Sequence, residues 1–344
     1  MILQLRPDIE EAVKPLLETL SRNRVVHHYM QGKHVLVVSN QADEKIFEPF
    51  QNLIERQVHV DTSYQLASRK WKEKTTFDVK GVRIGEGHFN LIAGPCSIES
   101  EEQIFTTAAF LATNEIRFIR GGAHKPRTSP YSFRGLGRKG LQWIREAANK
   151  HDLRVVTEIL DLSFLDDVYE HADILQVGSR NMQNFHLLKE LGKINKPVLL
   201  KRGMNAKVNE WLLAAEYILS GGNEQVILCE RGIRSFDPET RNVMDIGIIP
   251  LMKELSHLPV IADPSHGTGA SSRVIPLSLA AIAAGADGIL VEIHPEPSKA
   301  LSDSQQALNF EMFGTLLEQS KPILHHLGRI ADFEISPLKL QPIS

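Results

Sequence analysis

The chain has only two cysteines, Cys96 and Cys229, in 344 residues. That is too few for a disulfide framework, and in a reducing compartment each is expected to be buried, catalytic or metal-bound. No run approaches the about 18 consecutive apolar residues that mark a membrane helix. The start, "MILQLRPDIEE", has neither the basic beginning nor the long apolar stretch of a signal peptide, so a cytoplasmic protein without a membrane partner is expected. Positive charge is not in excess either. There are 39 Lys and Arg against 42 Asp and Glu, a net charge of −3, which gives no footing for nucleic-acid binding. One local absence runs the other way. Between 116 and 145 there is no acidic residue, against eight Lys or Arg, in a segment broken by glycine and proline ("IRGGAHKPRTSPYSFRGLG", 119–137). Such a segment implies an anionic ligand.

What is present is ordinary globular material, 42% hydrophobic and 24% charged, enough for a sizeable core. Residues 1–70 read as a small unit of their own. "MILQL" is an apolar edge, and Ile9, Val13, Leu16, Leu17 and Leu20 recur at helical spacing. "RVVHHYM" and "KHVLVVSN" flank a turn at Gln31-Gly32; "EKIFEPFQNLIER" reads as a second helix and "QVHVDTS" as a last strand. The order β-α-β-β-α-β is ferredoxin-like, an α+β arrangement. Pro15 and Pro49 fall inside the two expected helices, where an interior proline costs about 3 kcal/mol.

A linker with a short hairpin near Lys80-Gly81 occupies 71–88. From 89 to 330 one pattern recurs: a short apolar β-rich run, a polar or glycine-bearing end, then a helical stretch such as "EEQIFTTAAFLA" or "NEWLLAAEYILS". The runs are "NLIAGPCS", "IRFIRGGA", "LRVVTEIL", "ADILQVGSR", "KPVLLKRG", "QVILCERG", "LPVIADPSH" and "DGILVEIHP". Eight such units predict an α/β fold, a (β/α)8 TIM barrel, in preference to an open doubly wound sheet. Residues 331–344 read as a tail without functional signal.

In such a barrel the chemistry sits at the carboxyl ends of the strands. Those ends carry Cys96, Arg120, Glu158, Gly178-Ser179-Arg180, Lys201-Arg202, Arg231, Asp263 with His266, and Glu292. Any one of these is unremarkable, since a lone Lys or Arg there is usually a solvated rim charge and a lone Cys a small core residue. Their convergence is the signal. Cys96, His266 and Glu292, with Asp303 just beyond the last strand, combine a thiolate, an imidazole and two carboxylates, a mix suited to a divalent transition ion in a catalytic site. Arg120, Lys125, Arg127, Arg180, Lys201 and Arg231 form a cationic group suited to carboxylate and phosphate. They imply substrates with several negative charges, such as a small phosphorylated carboxylic acid.

"GPCSIE", "GGAHKPRTSPYSFRGLG", "QVGSRNMQNF", "PVLLKRG", "ILCERGIR", "DPSHGTG" and "VEIHPEPSKALSDSQQ" together resemble the type I beta class of 3-deoxy-D-arabino-heptulosonate-7-phosphate (DAHP) synthases. The resemblance covers nearly all of 75–320 with the motifs in order. The N-terminal unit is similar to the ferredoxin-like regulatory domain of some members. The resemblance implies condensation of phosphoenolpyruvate with erythrose 4-phosphate, the first step of aromatic amino-acid synthesis. It implies one divalent ion (Mn, Fe, Zn or Co) on Cys96, His266, Glu292 and Asp303. It also implies a phosphoenolpyruvate cradle of Arg120, Lys125, Gly178, Ser179, Arg180, Lys201 and Arg231, with Arg127 and Thr128 on the aldose phosphate. Members often have Ala where this chain has Ser179. Lys125 is the candidate proton donor, an aromatic amino acid the candidate effector, and a homodimer or homotetramer the expected assembly. His294, two residues past Glu292, reads as a surface histidine. Two other readings compete: a 3-deoxy-D-manno-octulosonate 8-phosphate synthase using arabinose 5-phosphate, which carries an Asn-bearing loop where this chain has Lys125-Pro126-Arg127-Thr128, and a catalytically silent metabolite sensor.

Overall fold

Alternating apolar residues in the eight runs become eight parallel strands, and their period of two decides what faces the barrel axis. The computed structural model describes residues 1–7, 10–125, 131–331 and 333. The barrel strands are β7 (His88–Gly94), β8 (Phe118–Arg120), β9 (Arg154–Glu158), β10 (Ile174–Val177), β11 (Val198–Lys201), β12 (Val226–Glu230), β13 (Val260–Ala262) and β14 (Gly288–Glu292). Each pairs in parallel with the next, and β14 closes onto β7 with Glu292 opposite Gly94. Helices α2 (Glu101–Thr113), α3 (Arg138–Lys150), α4 (Leu165–His171), α5 (Phe185–Leu191), α6 (Val208–Ser220), α7 (Ile248–Leu255), α8 (Pro264–Thr268), α9 (Ser271–Ala283) and α10 (Phe310–His326) follow the strands in turn. Among the described residues no helix is long and apolar enough to cross a membrane.

Inside the barrel, Ile92, Phe118, Val156, Ile174, Leu199, Ile227, Cys229, Ile261 and Leu290 form one buried cluster. Each such side chain contributes about 1.5–3 kcal/mol by leaving water. The cluster is sealed from below by a hairpin of β5 (Thr76–Val79) and β6 (Val82–Gly85), whose Val79, Val82 and Ile84 join it. The hairpin turns at Lys80 (φ 48°) and Gly81 (φ 85°), two positive-φ residues as a tight twisted turn requires. After α10, β15 (Ile330–Ala331) adds to β7, and Phe333 packs edge-on against Phe89. The rest of 334–344 lies outside the described residues.

The N-terminal sheet comprises β1 (Ile2–Leu5), β2 (His27–Met30), β3 (Val35–Val38) and β4 (Ile54–Val58), antiparallel in the order β2-β3-β1-β4, with α1 (Glu10–Arg22) after β1. That is ferredoxin-like connectivity. Ile9 of the expected periodicity lies outside the described residues. α1 accommodates Pro15, but the second expected α-helix is a 3-10 segment, Glu44–Leu53, holding Pro49. The last strand is accordingly earlier than expected, Ile54–Val58 rather than 57–63, because the chain is already extended at Ile54 (φ −93°, ψ 124°).

Candidate active site at the barrel mouth

The same period of two that builds the barrel core places the polar residues above it. Two positions beyond Phe118, Val156, Leu199, Cys229, Ile261 and Leu290 come Arg120, Glu158, Lys201, Arg231, Asp263 and Glu292; two and four positions beyond Ile92 come Gly94 and Cys96. They share the inward face with the apolar residue below. Arg202, at the odd position, points away, pairing with Glu230 at 3.1 Å.

Gly94 is the closest approach. A Cβ there would lie 1.9 Å from the Arg120 carbonyl oxygen, and its φ is +154°. Gly94→Ala therefore forces β7 and β8 apart where Cys96 and Arg120 project. The expected result is a loss of at least about 3 kcal/mol or failure to fold, read by thermal unfolding, and a native-like midpoint would show the strands can yield.

The acids and cations interlock. Glu292, fully buried, takes Arg120 Nη1 at 3.2 Å and lies 3.4 Å from His266 Nε2, both through Oε1, while Oε2 accepts from Gln306 Nε2 at 2.6 Å. Burial pushes its carboxyl up, but His266, Arg120 and Lys125 outweigh that and hold it down at about 2. Asp263 is also fully buried; it pairs with Lys201 and lies 2.7 Å from His266 Nδ1. Burial raises it, and the charges of His266 and Lys201 with the hydrogen bonds from His266 hold it well below the usual carboxylate range. Asp263 is the N-cap of α8, accepting from the His266 amide at 3.0 Å, with Pro264 at the first helical position and Gly269 closing the helix at positive φ. "DPSHG" thus folds as a one-turn helix that fixes His266.

Cys96 is 4% exposed; its Sγ lies 3.3 Å from Asp303 Oδ2, and Lys125 Nζ donates to both its carbonyl (3.0 Å) and its Sγ (3.1 Å). Burial first, then Glu292, pushes the thiol up to about 12 against the pull of Lys125. One ligand atom each from Cys96, Glu292 and Asp303 lies within 4.8 Å of the others. His266 is not one of that group, although its Nε2 comes within 3.4 Å of Glu292 Oε1. A sulfur and two carboxylates brought together from the loop after β7, from β14 and from the loop after β14, with an imidazole nearby, fit a divalent transition ion.

A cavity of about 530 Å³ opens above these groups, lined among others by Arg120, Lys125, Arg180, Lys201, Arg231 and His266, with Gly178 and Ser179 on its wall. The mutual repulsion expected of the cations is partly relieved, since Glu292 and Asp263 neutralise Arg120 and Lys201. Arg231 and Arg180 form no ion pair among the described residues. Arg231 is buried all the same, a condition that lowers its pKa and leaves its charge for something in the cavity. Arg127 and Thr128 lie outside the described residues. Glu158 lines the cavity wall beside Gly178. His294 corrects the expectation of a surface residue: it is 7% exposed, its Nδ1 accepting from the Glu296 amide at 3.0 Å and its Nε2 3.5 Å from Glu99. Sequence reasoning also missed Gln176, Arg234, Arg241, Asn242 and Gln306. Gln176 was accessible from the period of two along β10; the others come from loops without period.

A closed parallel barrel with a cationic cavity and a cysteine–carboxylate cluster at its carboxyl mouth defines a (β/α)8-barrel enzyme acting on small anionic substrates. The family description "DAHP synthetase I family" matches residues 57–326. The chain is 48% identical over 334 residues to phospho-2-dehydro-3-deoxyheptonate aldolase of Thermotoga maritima, covering 95% of this chain and 99% of that one. It is 31% identical over 261 residues to 2-dehydro-3-deoxyphosphooctonate aldolase of Syntrophobacter fumaroxidans, covering 71% and 90%. The crystal structure of the DAHP synthase from Thermotoga maritima superposes with a TM-score of 0.78 at 46% identity, over 96% of this chain and 98% of that one. A truncated form of the same organism's enzyme gives a TM-score of 0.74 at 49% identity over 78% and 99%. The chain belongs to the DAHP synthetase I family and is one of its enzymes, a transferase with 3-deoxy-7-phosphoheptulonate synthase activity.

Proposed function

We propose that the enzyme condenses phosphoenolpyruvate with D-erythrose 4-phosphate and water to give DAHP and phosphate, in a metal-dependent reaction. The observation that carries this reading is the meeting of two unlike groups at Lys125. Its Nζ lies 3.1 Å from the sulfur of the Cys96 cluster and lines the same cavity as Arg180 and Arg231, which form no ion pair among the described residues. Cys96, His266, Glu292 and Asp303 would hold one Mn, Fe, Zn or Co ion, which supplies Lewis-acid polarisation of an aldehyde.

The chain's own residues do the rest. Arg120, Lys201, Arg231 and Arg180, with the backbone at Gly178-Ser179, bind the phosphate and carboxylate of phosphoenolpyruvate and orient its C3 toward the aldehyde. Arg127 and Thr128 take the aldose phosphate. Lys125 gives its proton to the alkoxide formed as C3 attacks. Water adds at C2, and the phosphohemiketal expels phosphate. We assign 1–70 as a regulatory domain for an aromatic amino acid, 71–88 as linker, 89–330 as the catalytic barrel and 331–344 as tail, in a cytoplasmic homodimer or homotetramer. The carboxylate of Glu216 on α6 supports coupling between domains, since it receives the amides of Gln65, Leu66 and Ala67.

The test follows phosphoenolpyruvate consumption with erythrose 4-phosphate or arabinose 5-phosphate, each with and without a chelator. Consumption only with erythrose 4-phosphate, stopped by chelator and restored by a divalent metal, is expected. Consumption with arabinose 5-phosphate instead would select the octulosonate reaction of the 31%-identical relative. No consumption with either sugar, in folded and metal-loaded protein, would make the barrel a silent sensor. Added Tyr, Phe or Trp in the same assay reads out the effector.

A further inference from the structure

We propose that Gln306, oriented by Arg241, is a positioning residue that sets the Glu292 carboxylate for metal ligation; this rests on the metal-site reading above. Gln306 is 1% exposed and lies in the loop after β14, three residues beyond Asp303. Its Oε1 accepts from Arg241 Nη1 at 2.5 Å, and its Nε2 donates to Glu292 Oε2 at 2.6 Å. A guanidinium has donors and no acceptor, so the amide oxygen must face Arg241 and the NH2 must face Glu292. One orientation of Gln306 therefore satisfies both neighbours. With Oε2 held in this way, the Glu292 carboxylate cannot rotate freely, and Oε1 stays on the side of Arg120 and His266.

Arg241 is itself held. Its stem packs against Gly269, where a Cβ would come within 2.6 Å of Arg241 Cδ and where φ is +69°. Its Nη1 is also 3.8 Å from Asp303 Oδ1. The adjacent Asn242 donates to the His266 carbonyl at 2.9 Å. The backbone on either side is closed by a reciprocal pair of hydrogen bonds between Ile233 and Val243 (2.9 and 2.8 Å). The loop after β12, which contributes none of the four ligands, thus touches His266 and Asp303 directly and Glu292 through Gln306. Partners behind metal-ligating carboxylates tune affinity by holding geometry, and losing one typically costs about 10–100-fold.

The experiment titrates Co²⁺ into metal-free, full-length protein and follows the thiolate-to-cobalt charge-transfer band that Cys96 ligation produces. Gln306→Leu and Gln306→Met remove both the donor to Glu292 and the acceptor for Arg241 without adding charge. Both are expected to raise the Co²⁺ Kd about 10–100-fold. Arg241→Met, which frees the amide to turn over, is expected to raise it less. A residue that merely supports the loop would lower the thermal midpoint and leave the Co²⁺ Kd of the folded fraction unchanged, so wild-type Kd in either Gln306 variant overturns the proposal. A wild-type protein with no thiolate band overturns the metal-site reading itself. A normal wild-type band with unchanged variants overturns only the role of Gln306.

Discussion

Cys96→Ala is expected to reduce turnover by about three orders of magnitude or more while leaving the fold intact. Lewis-acid stabilisation of several kcal/mol is at stake, and about 1.4 kcal/mol corresponds to a factor of ten. The structural cost is small by comparison, because only one sulfur leaves a site at the end of β7 that is already bordered by a cavity. The thiol also makes binding pH-dependent. With burial and Glu292 pushing it up to about 12, Cys96 is protonated at neutral pH in the absence of an ion. Ligation must expel that proton, so metal affinity rises with pH. Turnover of the Ala variant measures the first effect, and metal content after dialysis against a competing chelator, across pH, measures the second. Full activity of the Ala variant, or affinity flat in pH, removes Cys96 from the ligand set.

Asp263→Ala is expected to be strongly destabilising. It leaves the Lys201 ammonium, 5% exposed, without its carboxylate, and breaking a buried pair from one side costs about 3–5 kcal/mol. Loss of the α8 cap adds about 1 kcal/mol. Removing both charges avoids the stranded cation, so Asp263→Ala with Lys201→Met should recover most of the stability while remaining inactive. Denaturant unfolding of the single and double variants tests this. A single variant as stable as the parent would mean that the cavity solvates Lys201, and the pair would lose its structural role.

Much of the barrel could be read from the residues alone because it rests on local chemistry. Eight apolar runs ending in glycine or polar residues specify strands that helices must cover, and the period of two specifies which residues share the inward face. Arg120, Lys201, Asp263 and Glu292 were therefore legible as strand-end residues. The small N-terminal unit was legible in its strand order and less so in detail. The stretch 44–53 winds as a tighter 3-10 segment rather than the expected α-helix, and β4 begins directly after it at Ile54. His294 misled because the fold buries it and brings it within 3.5 Å of Glu99, almost two hundred positions earlier.

By itself the sequence determined the number of strands, the inward register along each, and the two kinds of chemistry at their ends. Tertiary structure alone decided which of those groups meet. Barrel closure between β14 and β7 brings Glu292 level with Gly94, and so Cys96 close to Glu292 and Asp303. Folding of the loops over the mouth placed Arg241 on Gln306 and Gln306 on Glu292. No periodicity encodes these contacts. They arise because buried carboxylates and guanidinium groups must find partners, and only the folded chain determines which partner lies within hydrogen-bond reach.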